Sequence, residues 1–332
     1  MKTDTKSIKL LTTTALVLAA VVFLAAAVIG TVYRREPSTA EAIEETRQAT
    51  MSGEEAALRV QSLTQRGGQL RDAGRYQVAL PLLQEALALT ESTFGPDSLE
   101  CAAALNQLGM LGKYDGSFDQ AEASYRRALR IVELRTGLNS ALAATLFHNL
   151  GGLEHARGRF LEGEPYARRS VENRERLSGP DHVDTAADMA ALAALLDGQG
   201  KYEEAEQLYR RALVTFERVY GPDHFEVAVN LNNLAAVCHA TGRADEAEKL
   251  YLRALKIKEK LLGTEHPDVA MTLNNLAVFY KTQKKFSGAS ELYLRAIAIF
   301  ERVLDPTHPK LKTCRENYEL LLQEMSNANA GQ

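Results

Sequence analysis

The sequence predicts an all-α fold, a solenoid of six helical hairpins closed by a seventh helix. Three observations predict it. A helix-breaking position recurs every 42 residues, at Gly74, Gly116, Gly158, Gly200 and Gly242, with Lys284 standing where a sixth glycine would fall. Small residues keep the same phase. Ala79, Ala121, Gly163, Ala205, Ala247 and Ala289 follow the breaker by five positions, and Ala86, Ala128, Ser170, Ala212, Ala254 and Ala296 follow it by twelve. The stretch Asn232–Thr264 returns nearly unchanged as Asn274–Pro306. Self-similarity at one period, without insertion, marks stacked supersecondary units rather than a single central core.

Within one repeat, Asn233–Ala240 reads as helix A, with Leu234, Ala235, Val237 and Cys238 on one side. Gly242 follows where only glycine enters the left-handed region cheaply. Helix B is expected over about 244–261, because Ala247, Leu250, Tyr251, Ala254, Leu255 and Ile257 recur at helical spacing. The linkers Gly221-Pro222-Asp223-His224 and Gly263-Thr264-Glu265-His266 stop helix B, and their acidic residue is expected to cap the next helix A. Asp223 with Glu226 has the spacing of a capping box. The alanines let helices A and B approach, and Tyr125, Tyr209, Tyr251 and Tyr293 are expected to fill the space beside the next repeat. Repeats one to three are more degenerate: Gly137-Leu138-Asn139-Ser140 replaces the linker motif, and Pro165 falls near the first turn of a helix B, where only mild distortion is expected.

The recurring text N-L-A, G-x-Y, E-A-E-x-L-Y-x-R-A-L and G-P-D-H resembles the tetratricopeptide repeat, in the 42-residue form of kinesin light chains. The resemblance covers roughly residues 55–325. It implies a right-handed solenoid in which helix A lines a concave face, and a role in binding other proteins. The heptad coiled coil expected ahead of the repeats in a light chain is absent from this sequence.

Residues 1–9 are polar, with Lys2, Lys6 and Lys9. Residues 10–33 carry no charge; as helix, these 24 residues would span about 36 Å, enough for a hydrocarbon core of about 30 Å. A transmembrane anchor is expected there. A cleaved signal peptide ending at Ala25-Ala26-Ala27 is the competing reading, disfavoured because the apolar run continues past those alanines. The positive-inside bias slightly favours a cytoplasmic amino terminus and extracytoplasmic repeats. Residues 34–51 read as a polar linker, 52–325 as the solenoid, opened by Ser52 and Glu55 as a capping box, and 326–332 as a disordered tail behind a terminal capping helix.

Net charge is −4 and the isoelectric point near 6.0, which argues against a nucleic-acid binder driven by bulk charge. No nucleophile–base constellation, HExxH motif or phosphate loop is present. Gly198-Gln199-Gly200-Lys201 owes its glycines to the breaker position and lacks the strand a P-loop needs. His182, His224, His266 and His308 recur once per repeat, too far apart to share a metal, and read as capping structure. Cys101, Cys238 and Cys314 read as buried small hydrophobes. The sequence therefore predicts no enzyme, no cofactor, no metal site and no small-molecule substrate.

What remains is a surface. By the resemblance, the residue nine before each breaker points into the concave face: Gln65, Gln107, Asn149, Ala191, Asn233, Asn275 and Asn317. One position earlier stand Asn106, His148, Asn232 and Asn274. Carboxamides offer both a donor and an acceptor, so this row can hold a peptide backbone whatever its sequence. Three before the breaker lie Arg71, Lys113, His155, Asp197, His239 and Lys281, a mostly cationic row that would draw acidic side chains. Ala190, Ala191 and Asp197 interrupt both rows in repeat four. The expectation is a membrane-anchored scaffold that binds a protein or extended, partly acidic peptide along repeats five and six. The alternative is an assembly subunit using the convex face or the solenoid ends. The plainer reading of some of the asparagines is that they only cap helices or bond neighbouring repeats.

Overall fold

The computed structural model describes residues 53–306 and 308–330. The chain divides at Leu58/Arg59 into two units, and nearly all described residues belong to the second. The described residues form thirteen helices and no strand. Six hairpins pair a helix A with a helix B: α1 (Gly53–Asp72) with α2 (Tyr76–Phe94), α3 (Leu99–Asp115) with α4 (Phe118–Thr136), and α5 (Ala141–Ala156) with α6 (Phe160–Ser178). They continue with α7 (Val183–Gly198) and α8 (Tyr202–Tyr220), α9 (Phe225–Ala240) and α10 (Ala244–Leu262), and α11 (Pro267–Thr282) and α12 (Phe286–Val303). The seventh A helix, α13, runs Pro309–Ala330. Helix A of repeat five thus begins at Phe225, a full two turns before Asn233. The segment 10–33, the linker and Ser52 lie outside the described residues; among those described, no helix is long and apolar enough to cross a membrane.

Two ladders of positive φ set the phase. The breaker residues Gly74, Gly116, Gly158, Gly200 and Gly242 have φ between 72° and 87°, and Lys284 adopts the same conformation at 58°, the one non-glycine to do so among the described residues. At the ends of helices B, Gly95, Gly137, Gly179, Gly221 and Gly263 combine positive φ with ψ between 154° and 167°, a region open only to glycine. The degenerate linker at Gly137 has the same geometry as the others. Sequence drift there spared the one residue that geometry requires.

The histidines cap the A helices, as their recurrence once per repeat suggested, whereas the acidic residues expected to cap do not. Ser98 and Ser140 accept from the N–H groups of Cys101 and Ala143 at 3.1 and 3.3 Å. In later repeats the cap is a histidine, which follows an acidic residue at 182, 224 and 266 and follows Thr307 at 308. Nδ1 of His182, His224, His266 and His308 accepts from Asp184, Glu226, Asp268 and Lys310 N–H at 3.1–3.3 Å. Asp223 instead pairs with Lys260 at 2.6 Å, and Glu265 with Arg302. An imidazole nitrogen reaches the second N–H from an extended N-cap, leaving the carboxylate before it free for the neighbouring helix B.

Helices A and B meet through residues that project a methyl group or less. Ala79, Ala121, Ala205, Ala247 and Ala289 are all fully buried. Tyr125 lies against Gly109, where an added Cβ would come within 2.4 Å of the ring. The other three tyrosines are buried as expected, and so are the three free cysteines. Successive B helices are tied by a repeated ion pair: Glu91–Arg127, Glu175–Arg211, Glu217–Arg253 and Glu259–Arg295, at 2.6–3.2 Å.

The apolar core is interrupted in the third hairpin. One cluster runs from Cys101 to Leu153 and another from Ala167 to Leu321. Between them Ser170 and Asn173 are buried on backbone oxygens, Ser170 Oγ on Ala144 and Asn173 Nδ2 on Leu138. Pro165 lies in the second turn of α6, not the first, and Pro81 occupies the matching place in α2; both helices continue past the missing donor. In α13 the exposed Lys312, Arg315 and Glu319 stand where Ala270, Leu273 and Ala277 are buried one repeat earlier, which suits a helix with no helix B against it. Helix α13 extends through Ala330, so 326–330 is helical rather than the expected disordered tail.

Lys284→Gly should raise stability by about 0.5–1 kcal/mol by relieving the left-handed residue, and Gly242→Ala should lower it by about 1 kcal/mol, both read by urea unfolding. His308 is held below the ordinary imidazole value by burial and by Lys310, against Asp305. Folding thus favours the neutral ring that the cap requires. This contribution is complete above about pH 6.5 and is lost as pH falls through the depressed value. His308→Gln should flatten the acid limb of the melting-temperature profile.

Candidate interaction surface

The backbones of successive A helices approach one another directly, whereas successive B helices meet only through long side chains, so the A side is the inner side of the stack. The carboxamides expected there are brought together, but first by one another. Asn317 Nδ2 donates to Asn274 Oδ1 (3.2 Å), Asn274 to Asn275 (3.4 Å), Asn275 to Asn232 (3.3 Å) and Asn232 to Asn233 (3.2 Å). Asn233 in turn lies beside the buried Tyr209 hydroxyl, where it offsets part of the rise that burial imposes on the phenol. The result is one chain through α13, α11 and α9, in which links that step back one repeat (Asn317 to Asn274, Asn275 to Asn232) alternate with links to the next residue (Asn274 to Asn275, Asn232 to Asn233). Asn274, Asn275 and Asn232 each spend one N–H and one lone pair, Asn317 only donates and Asn233 only accepts, so every member keeps at least one donor and one acceptor. The surface is therefore ordered before any partner arrives.

A shorter chain serves the early repeats. Asn149 Nδ2 donates to Asn106 Oδ1 at 2.7 Å, both buried, and Arg71 donates to Gln107 Oε1 at 3.0 Å. Gln65 is exposed and joins neither chain. Repeat four separates the two chains. Its inner positions Ala187, Ala190, Ala191 and Ala194 offer no polar atom. His148 instead turns to α7, its Nδ1 2.7 Å from Oδ1 of Asp188, which is 3 % exposed. Arg174 approaches the other carboxylate oxygen at 3.4 Å and donates to Thr145. The sequence reading missed this cluster. Its signal was the 84-residue match of Arg174/Asp188 to Lys258/Thr272, two polar pairs at positions that bury apolar groups elsewhere. There Lys258 Nζ donates to Thr272 Oγ1 at 3.0 Å, and burial lowers the lysine below its ordinary value.

The ionisable row is less cationic than composition suggests. Burial lowers both His155 and His239, favouring the neutral rings, with Lys113 adding to the effect on His155. His239 Nε2 contacts Thr282 Oγ1 at 2.9 Å. Lys281 is 3.3 Å from Glu324 on α13, and Arg71 is paired with Asp72. Lys113 is lowered by burial and by Arg71, and Asp197 is raised by burial alone. The described residues hold no group of three His, Cys, Asp or Glu arranged to bind a metal.

The tetratricopeptide repeat model matches residues 58–133, 142–214, 198–260, 226–302 and 268–330. Among solved structures, BtubC (BKLC) from P. vanneervenii is 24% identical, with a TM-score of 0.53 over 75% of this chain and 94% of that one. Repeats of a kinesin light chain from Podosopora anserina are 20% identical, with a TM-score of 0.51 over 62% and 97%. The type IV pilus biogenesis factor PilW is 19% identical, with a TM-score of 0.53 over 76% and 97%. At these identities the likeness is one of fold. No curated protein sequence matches the chain. With the family model matched along nearly all of its described length, and with neighbours built on kinesin-light-chain-like repeats, the chain belongs to the tetratricopeptide repeat family.

Proposed function

We propose that this chain is a protein-interaction scaffold whose inner carboxamide row holds an extended, partly acidic segment of a partner. Residues 10–33 would anchor it in a membrane, with the repeats on the extracytoplasmic side. Repeats of this family mediate protein–protein contacts, and the observation that carries the finer reading is the carboxamide chain from Asn317 to Asn233. Its members are held in place by one another, yet each retains a donor and an acceptor, the two functions a peptide backbone presents. Pre-ordering of this kind reduces the entropy lost on binding. The anchor rests on the uncharged run in 10–33 and on its length.

A second reading, assembly through the outer side, is favoured by a different row. Leu177, Val219, Leu261 and Val303 are each about half exposed at matching positions near the ends of successive B helices. Val219→Ser with Leu261→Ser would then abolish self-association in sedimentation while leaving peptide binding intact.

With a hydrogen bond worth about 0.5–1.5 kcal/mol, Asn233→Ala with Asn275→Ala should weaken a genuine partner about five- to a hundredfold, measured by titration calorimetry at matched helicity. Unchanged affinity would remove the inner row from the mechanism. The full chain should resist alkaline extraction from membranes, and a chain lacking residues 1–36 should not; native protein beginning at Val28 would establish a cleaved signal peptide instead.

A further inference from the structure

We propose that the inner face reads the sign of its partner's charges through two unpaired, oppositely charged residues, Lys113 in repeat two and Asp197 in repeat four. This rests on the inner-face reading above and adds to it a sequence requirement on the partner. Both residues stand three before their breaker, so they occupy one row, and both are half-buried. Among the described residues, neither has an ion pair or a side-chain hydrogen bond. Three other members of the row are paired: Arg71 has Asp72 and Gln107, His239 has Thr282, and Lys281 has Glu324; His155 packs edge-on against the Phe160 ring and is held toward its neutral form, so it adds no charge.

Their placement favours capture. The Lys113 ammonium reaches across to α5, 3.6 Å from where a Cβ on Gly152 would lie, and 5.0 Å from the Tyr114 ring centre. It hangs over the floor between two A helices, where the absence of a side chain at 152 leaves it approachable. Arg71 adds charge of the same sign nearby, and the intervening His155 is kept toward its neutral form. Asp197 faces the tyrosines of α8 and α10, Tyr209 and Tyr251, with no cation beside it. The floor before it is lined by Ala190, Ala191 and Ala194.

The two charges cannot satisfy each other. With helices packed about 10 Å apart, two repeats separate them by roughly 20 Å. A half-buried charge without a counter-ion is costly, and a partner's opposite charge removes that cost. An extended chain rises about 3.3 Å per residue, so roughly 20 Å is about six residues. The partner segment therefore carries an Asp or Glu over Lys113 and a Lys or Arg over Asp197, about six positions apart. A uniformly acidic segment would meet Asp197 with like charge and bind less well.

The test uses the full chain in detergent and fluorescent peptides of about twelve residues on a Gly/Ser/Ala background. Glu and Lys are placed six apart in either order, beside Gln/Gln and Glu/Glu controls. One mixed order should bind about threefold to tenfold more tightly per charge than Gln/Gln. Asp197→Asn should erase the advantage of the Lys and leave that of the Glu, and Lys113→Gln should do the reverse. Both variants should melt no lower than the parent, since each removes a charge without an internal partner; lower melting would overturn the unpaired assignment. Equal binding of all four peptides, or a best fit to Glu/Glu, overturns the sign reading. If binding in that case still falls with Asn233→Ala/Asn275→Ala, the carboxamide mechanism stands alone. Failure of every peptide to bind sinks both.

Discussion

Helices A and B of a hairpin can close on each other only where one brings a methyl group or less. At Gly112 even an added Cβ would lie 3.1 Å from that of Ala121, and at Gly109 it would enter the Tyr125 ring. This closeness sets the separation of every later contact. It brings Tyr125, Tyr209, Tyr251 and Tyr293 through the stack toward the inner face, and it fixes the stagger between successive A helices. Asn275 can reach Asn232, and Asn317 can reach Asn274, only at that stagger. A bulkier residue at the breaker-plus-five position would therefore disturb the inner face as well as the core.

Polar groups follow the same logic of enforced partners. A carboxamide in the interior without partners costs free energy, so buried Asn106 and Asn149 bond each other, as Ser170 and Asn173 bond backbone. The outer ion pairs obey weaker rules. Exposed pairs such as Glu175–Arg211 contribute little singly, but the shared networks are better ordered. Glu164 takes hydrogen bonds from Lys201, Gln199 and Arg168, which against its own burial hold it at about 2. Such clusters couple neighbouring hairpins where the apolar core is thin.

Much of this was legible in the sequence because it depends on residue size at a fixed period. The breaker ladder, the small residues and the tyrosines could be read one residue at a time, and even Lys284 kept its place. The caps could not be read so simply. Asp223 and His224 both offer an acceptor, and the choice depends on which one adopts the extended N-cap conformation, a property of the whole linker. The inner face was legible as a list, and bonds between neighbouring repeats were one reading of it, but the route of the network was not. Its key spacing is 43 residues, one more than the repeat, because each asparagine reaches one position back across the helix boundary. That offset comes from helix stagger, which no local pattern encodes. The reduced charge of the histidines likewise follows from burial and not from their identity.

The third hairpin and the fourth A helix gather the departures from the repeat. There the apolar core divides, Gly163 and Ser170 replace alanines, and the carboxamide chain stops on both sides. These are linked consequences of one change. With alanine at 190 and 191, His148 has no carboxamide to meet in repeat four and turns to Asp188. A carboxylate that deep needs a cation, which Arg174 supplies at a position filled by Phe216 and Phe300 in other repeats. Replacing an aromatic by an ion pair exchanges apolar burial for a geometry-dependent contact, close to where the cluster that begins at Ala167 separates from the one that ends at Leu153. The inner face is divided at the same place. Lys113 lies on one side of the division and Asp197 within it, so the sign of the face changes where the repeat pattern breaks.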